Sequence, residues 1–132
     1  MENIKIRISS LVDGTPWLFN GEGTKQIQNG KTILDAVEYI EEQKVLHHIE
    51  ISQKKVKVSR FFTGATHLEF FENKKGDVFI STEYGSFQGK TITKAFSVKE
   101  NASAGVATLE YNTDFDDKNA SVKKIQISYR II

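Results

Sequence analysis

The chain has 132 residues, 39% hydrophobic and 27% charged, which suits one domain with its own core and excludes a disordered polymer. Its 18 Lys and Arg against 17 Asp and Glu leave a net charge of +1, so no overall field draws in nucleic acid or an anionic membrane. The absence of cysteine excludes disulfides, thiolate catalysis and thiolate metal sites.

The opening MENIKIRISS is charged and alternating, without the apolar run of a signal peptide. No apolar stretch approaches the roughly 18 residues of a membrane span. A cytoplasmic protein is expected. Ile4, Ile6 and Ile8 alternate with Lys5, Arg7 and Ser9, the period of a half-buried strand. Asp13-Gly14-Thr15-Pro16 reads as a turn, with Pro16 at an edge or strand start because it cannot donate to a ladder. A second strand begins at Trp17-Leu18-Phe19, interrupted by Gly21 and Gly23 as at a bulge or barrel corner. Asn29-Gly30 is the strongest hairpin signal and suits a type I′ turn.

Residues 31–50 admit two readings. Thr32 with Asp35 resembles a weak capping box, and Leu34, Val37 and Ile40 fit one helical stripe. As strands, Ile33–Glu41 and Val45–Ser52 join through Glu42-Gln43-Lys44, and the preceding Asn-Gly favours this reading. Val56–Thr82 supplies three more strands, broken at Thr63-Gly64-Ala65 and Asn73-Lys74-Lys75-Gly76. Tyr84–Val98 is long and bent near Gly85 and Gly89. Gly105–Thr113 and Val122–Ile132 form a last hairpin over the polar loop Asp114–Ser121, with Ile125, Ile127, Tyr129 and Ile131 sharing one face. About eight to ten antiparallel strands with short turns predict an all-β barrel or sandwich, and closure would remove exposed edges.

Arg60-Phe61-Phe62 leads into Thr63-Gly64, Thr66 and the aromatics of the next strand, and Gly76 opens a strand ending at Thr82. With Glu38-Tyr39-Ile40-Glu41-Glu42, Ala107–Tyr111 and Ile125–Tyr129, this pattern resembles the YwiB-like proteins, small bacterial proteins with a calycin-like (lipocalin-type) β-barrel. The resemblance runs from Gly21 onward. It implies a single antiparallel calycin-like barrel over residues 1–132 and a bacterial cytoplasmic setting. It implies no established activity, so no catalytic residue is carried over. Gln53-Lys54-Lys55 stands where an Arg-containing turn is expected. Trp17 and Arg130 loosely echo the early Trp and late Arg of some calycin barrels, although Trp17 lacks the lipocalin Gly-x-Trp spacing.

Motifs of recognised chemistry fall away on spacing. Gly85–Thr91 has three residues between its glycines and leads into a strand, where a phosphate loop has four and leads into a helix. Asn112, Asp114 and Asp116 begin like a calcium loop, but Asp117 and Lys123 occupy its glycine and glutamate positions. His47 and His48 must face opposite sides of a strand, and His47, in register with Ile49 and Ile51, is expected to be a hydrogen-bonded interior histidine. His67, Asp77 and Ser81 make a triad only on paper, without a nucleophile elbow. Lys54, Lys55, Lys57 and Arg60 mix with Phe61 and Phe62 as in single-stranded nucleic-acid binders, yet Lys57 alternates like a solvated strand face. Alternation also places Arg60 with Val56, Val58 and Phe62, and Lys94 with Ile92, Phe96 and Val98. Inward cations need an acid such as Asp35 or Glu110, or an anionic ligand. The alternatives are a bulge turning Arg60 outward, or Lys94 at a rim, because a one-residue slip exchanges faces.

The expected function is non-enzymatic: binding of a small, partly apolar or acidic ligand in the barrel by Arg60, Phe62, Phe70, Lys94, Phe96, Tyr111 and Tyr129. No cofactor and no metal are expected, and nucleic acid and membrane are disfavoured as partners. The alternative is a packed barrel acting through its outer surface on a protein or nucleic acid.

Overall fold

Extended backbone is what β-branched and aromatic residues at alternate positions favour. The computed structural model describes residues 1–132 and contains ten strands and no helix. They are β1 (Glu2–Val12), β2 (Thr15–Gln28), β3 (Lys31–Ile40), β4 (Gln43–Ile51), β5 (Lys55–Phe61), β6 (Ala65–Phe71), β7 (Gly76–Thr82), β8 (Gly85–Glu100), β9 (Ala104–Thr113) and β10 (Lys123–Ile131). Every strand pairs antiparallel with its sequence neighbours, and β10 returns to pair with β1, closing the barrel. In that seam Ile4, Ile6 and Ile8 stand opposite Ile131, Tyr129 and Ile127, so the first and last strands turn their apolar residues to the same side. The all-β antiparallel barrel expected from the sequence is what forms.

Residues 31–50 are strands, as the Asn-Gly turn before them favours. Three hairpins close through two residues with left-handed φ, as type I′ turns demand: Asp13-Gly14 (51° and 77°), Asn29-Gly30 (51° and 76°) and Glu41-Glu42 (48° and 70°). The third falls one residue earlier than the predicted Glu42-Gln43-Lys44, with Ile40 opposite Gln43. β2 runs unbroken through Gly21 and Gly23. The Phe19 ring occupies the space that a Cβ on Gly21 would need, which lets the wall curve tightly over it.

The lumen is packed. Ile4, Leu34, Ile49, Val56, Phe70, Leu109 and Ile127 are buried at its centre, with Phe96 and Val98 lying against them. The predicted face of β10 points inward at Ile125, Ile127 and Tyr129. In β8 the register slips between Thr93 and Ala95, so Lys94 has no cross-strand partner and is exposed. The bulge exchanges faces: Thr93, opposite Tyr111, points in before it, and Phe96 and Val98 point in after it. Lys94 therefore does not share a face with Phe96 and Val98, contrary to the reading by simple alternation.

The wall is split at one end. β2 pairs with β1 from Thr15 onward, but with β3 only from Gly23, opposite Ala36, to Gln28. Residues 15–22 and 37–40 consequently run unpaired to each other. Pro16 lies in this free stretch, opposite Leu11 of β1, where a missing donor costs little.

Candidate functional site

The split end brings aromatic rings together with three ionisable side chains. Trp17 and Phe19 come from β2, Glu38 from β3, His47 from β4 and Arg60 from β5, with Phe62 just beyond. The register sets His47 directly opposite both Ala36 and Arg60. His47 is 3% exposed. Its ring stacks on Phe19 at 5.0 Å between centroids and lies 5.9 Å from Trp17. Nε2 donates to Glu38 Oε1 at 3.0 Å. Burial lowers the His47 pKa below its ordinary value; Arg60 adds to this and Glu38 opposes it. The expected hydrogen-bonded interior histidine is present, with Glu38 as its partner.

Arg60 lies over Trp17 at 5.1 Å and over Phe62 at 5.8 Å from the ring centroids. Its Nε is buried and has no hydrogen-bond partner, and it takes part in no ion pair. Neither acid expected to neutralise it does so. Asp35 accepts from His48 Nδ1 at 2.6 Å on the outer face, and Glu110 stands opposite Ala95 and Lys124. A guanidinium held between two aromatic faces with an idle buried donor can accept an anionic group at little reorganisation cost. A cleft of about 600 Å³ opens on the outer face of the wall near the split, lined by Thr24, Asp35, Val37, Leu46, His48 and Phe61 among others, and by none of Arg60, Trp17 and Phe62.

The family model described as "Domain of unknown function (DUF1934)" matches residues 4–127. The chain belongs to the DUF1934 family. No curated protein matches it. The crystal structure of the ywiB protein from Bacillus subtilis superposes with a TM-score of 0.79 over 99% of this chain and 92% of that one, at 18% identity. The likeness establishes a shared fold, and the resemblance to YwiB-like proteins read from the sequence holds.

In this DUF1934 barrel the seven residues named from the sequence do not form one site. Arg60 and Phe62 meet at the split end. Phe70 and Tyr111 pack edge to face in the core at 4.7 Å, 0% and 4% exposed. Burial and Asp116 push the Tyr111 pKa up to about 12. Tyr129, also in the core, donates to Glu100 Oε2 at 2.6 Å, with Lys25 Nζ 5.3 Å from its ring. Burial, with Glu100, raises the Tyr129 pKa, so the phenol stays neutral. Phe96 packs against the core and Lys94 stands outside.

Sequence reading passed over Glu38 and Lys25, both on strand faces where period two would have placed them inward. It discounted Trp17 for its spacing, yet Trp17 meets Arg60. Arg130, its supposed counterpart, is exposed on the outer wall.

Elsewhere, polar clusters are engaged internally. Outside the wall, Asp35, His48, Ser59 and His67 form one cross-strand row. Ser59 Oγ is hydrogen-bonded to His67 Nδ1 at 2.9 Å, but Ser59 is only 2% exposed and its hydroxyl is shielded from an incoming substrate. In the 114–122 loop, Asp116 takes Lys123 Nζ at 2.6 Å and Thr113 N at 2.8 Å. Burial would raise the Asp116 pKa, but these partners outweigh it and hold it low. The DUF1934 chain's basic β5 strip is interleaved with acids: Lys57 faces Glu50 and Glu69 across the sheet, and Lys55 pairs with Glu69 at 3.1 Å.

Proposed function

We propose that the protein is a non-enzymatic binding barrel that holds a small, flat, partly apolar acid at its split end. The acid group meets Arg60, and the apolar body lies against Trp17 and Phe62. The carrying observation is the buried Arg60 Nε without a partner, since an unpaired buried donor costs about 1–3 kcal/mol until something accepts from it. Phe70, Tyr111 and Tyr129 act in this reading as packed floor, and Phe96 as part of that floor, so the ligand sits at the rim rather than deep in the lumen.

Trp17 is the chain's single tryptophan, so its fluorescence reports directly on the site. Titration with benzoate and with anilinonaphthalene sulfonate should change Trp17 emission saturably. Arg60→Met should weaken binding about tenfold or more, the worth of a charge-assisted hydrogen bond, while Lys94→Met leaves it unchanged. Equal affinity in the Arg60 and Lys94 variants, or no saturable change with either acid, refutes the assignment.

A further inference from the structure

A second groove, of about 870 Å³, lies in the outer wall across β2, β1, β10, β9 and β8, and shares none of Trp17, His47 or Arg60. Four of its lining residues are cations: Lys5, Arg7, Lys99 and Arg130. Lys5 stands directly opposite Arg130 on one side and Glu22 on the other, and Arg7 stands opposite Ser128. None of the four is within 4.0 Å of a carboxylate oxygen. Glu100, the groove's other acid, is engaged by the Tyr129 hydroxyl. Like charges directly opposite on a sheet repel, so Lys5 against Arg130 carries a cost, and the groove's four cations outnumber its two acids, Glu22 and Glu100.

Spacing narrows what could supply the missing negative charge. Neighbouring strands lie about 4.8 Å apart, and same-face residues on one strand about 6.8 Å apart. Lys5, Arg7 and Arg130 are thus close enough to bracket one anionic group. Lys99 lies on β8, three strands from Arg7, roughly 14 Å away across the ladder, and needs a second group. The groove volume matches a small organic ligand, and two guanidinium forks suit phosphate oxygens. The near-neutral total charge gives no long-range attraction for a polymer, so a compact ligand fits better. We infer that this outer groove binds a small organic molecule carrying two or more phosphate groups, independently of the Arg60 site.

Calorimetric titration of the full chain with ADP, sodium tripolyphosphate and inorganic phosphate tests this. ADP and tripolyphosphate should bind saturably, and inorganic phosphate at least about tenfold more weakly, because one group cannot reach both cation clusters. Affinity should fall with added salt. Lys5→Ala and Arg130→Ala should each weaken ADP binding about tenfold, while Arg60→Met does not. Unliganded Arg130→Ala should melt at or above the wild-type temperature, because a repulsion has been removed. No saturable heat with ADP or tripolyphosphate at low salt, or unchanged affinity in both the Lys5 and Arg130 variants, overturns the inference.

Discussion

Replacing Glu41-Glu42 by Asn-Gly should stabilise the protein. Both residues are held at left-handed φ, 48° and 70°, which costs a non-glycine residue roughly 1–2 kcal/mol each. Asn tolerates that region better and Gly adopts it freely, although the added Gly gives back about 0.5–1 kcal/mol through the unfolded chain. The net gain is about 1–2 kcal/mol, a melting shift of roughly 3–8 °C for a chain of this length. The Asn29-Gly30 turn, with φ of 51° and 76°, already shows this chemistry in the same barrel. Thermal and urea unfolding measure the effect, with the urea midpoint rising at constant slope. Glu41→Gln with Glu42→Gln is the control: it removes the adjacent like charges but leaves the backbone strained, and should stay within about 0.5 kcal/mol. An equal gain from the Gln pair, or none from Asn-Gly, would refute the strain argument.

Acid stability should track two imidazoles, His47 in the interior and the half-buried His67. His47 and His67 both titrate below the ordinary value of 6.5, mainly through burial, so on acidification the unfolded chain takes the proton first. Their contribution is therefore complete above about pH 6.5 and is lost as pH falls through the lower folded-state values. His47→Gln should flatten the melting temperature between pH 7 and 5, and an unchanged profile would contradict this. Phe70→Ala, at a fully buried site against Tyr111, should cost about 3–5 kcal/mol in urea unfolding. A loss under about 1 kcal/mol would show a lumen looser than described. Gly76→Ala places a Cβ 2.1 Å from the Glu69 carbonyl oxygen. It should destabilise by about 1–3 kcal/mol, and a neutral outcome would show that the β6–β7 corner relaxes.

Much of the barrel was legible because burial in a strand has period two. Ile4, Ile6 and Ile8 and the alternating face of β10 point inward as read, and Asn29-Gly30 makes the turn its chemistry demands. Residues 31–50 were ambiguous because a short amphipathic stretch fits both periods, and because their turn uses two glutamates rather than a residue that announces left-handed φ. Lys94 was misplaced because one extra residue at a bulge reverses every later side chain, and nothing local in Thr93-Lys94-Ala95 marks it.

Composition and alternation by themselves determined that this chain forms an antiparallel barrel or sandwich and, outside the β8 bulge, which strand faces turn inward. Tertiary structure alone decided where β2 parts from β3, how Arg60 comes to lie between Trp17 and Phe62 without an acid, and how Lys5, Arg7, Lys99 and Arg130 meet in one groove. The physical reason is range. Alternation is a property of adjacent residues, whereas these sites depend on register and closure between strands as distant in sequence as β1 and β10.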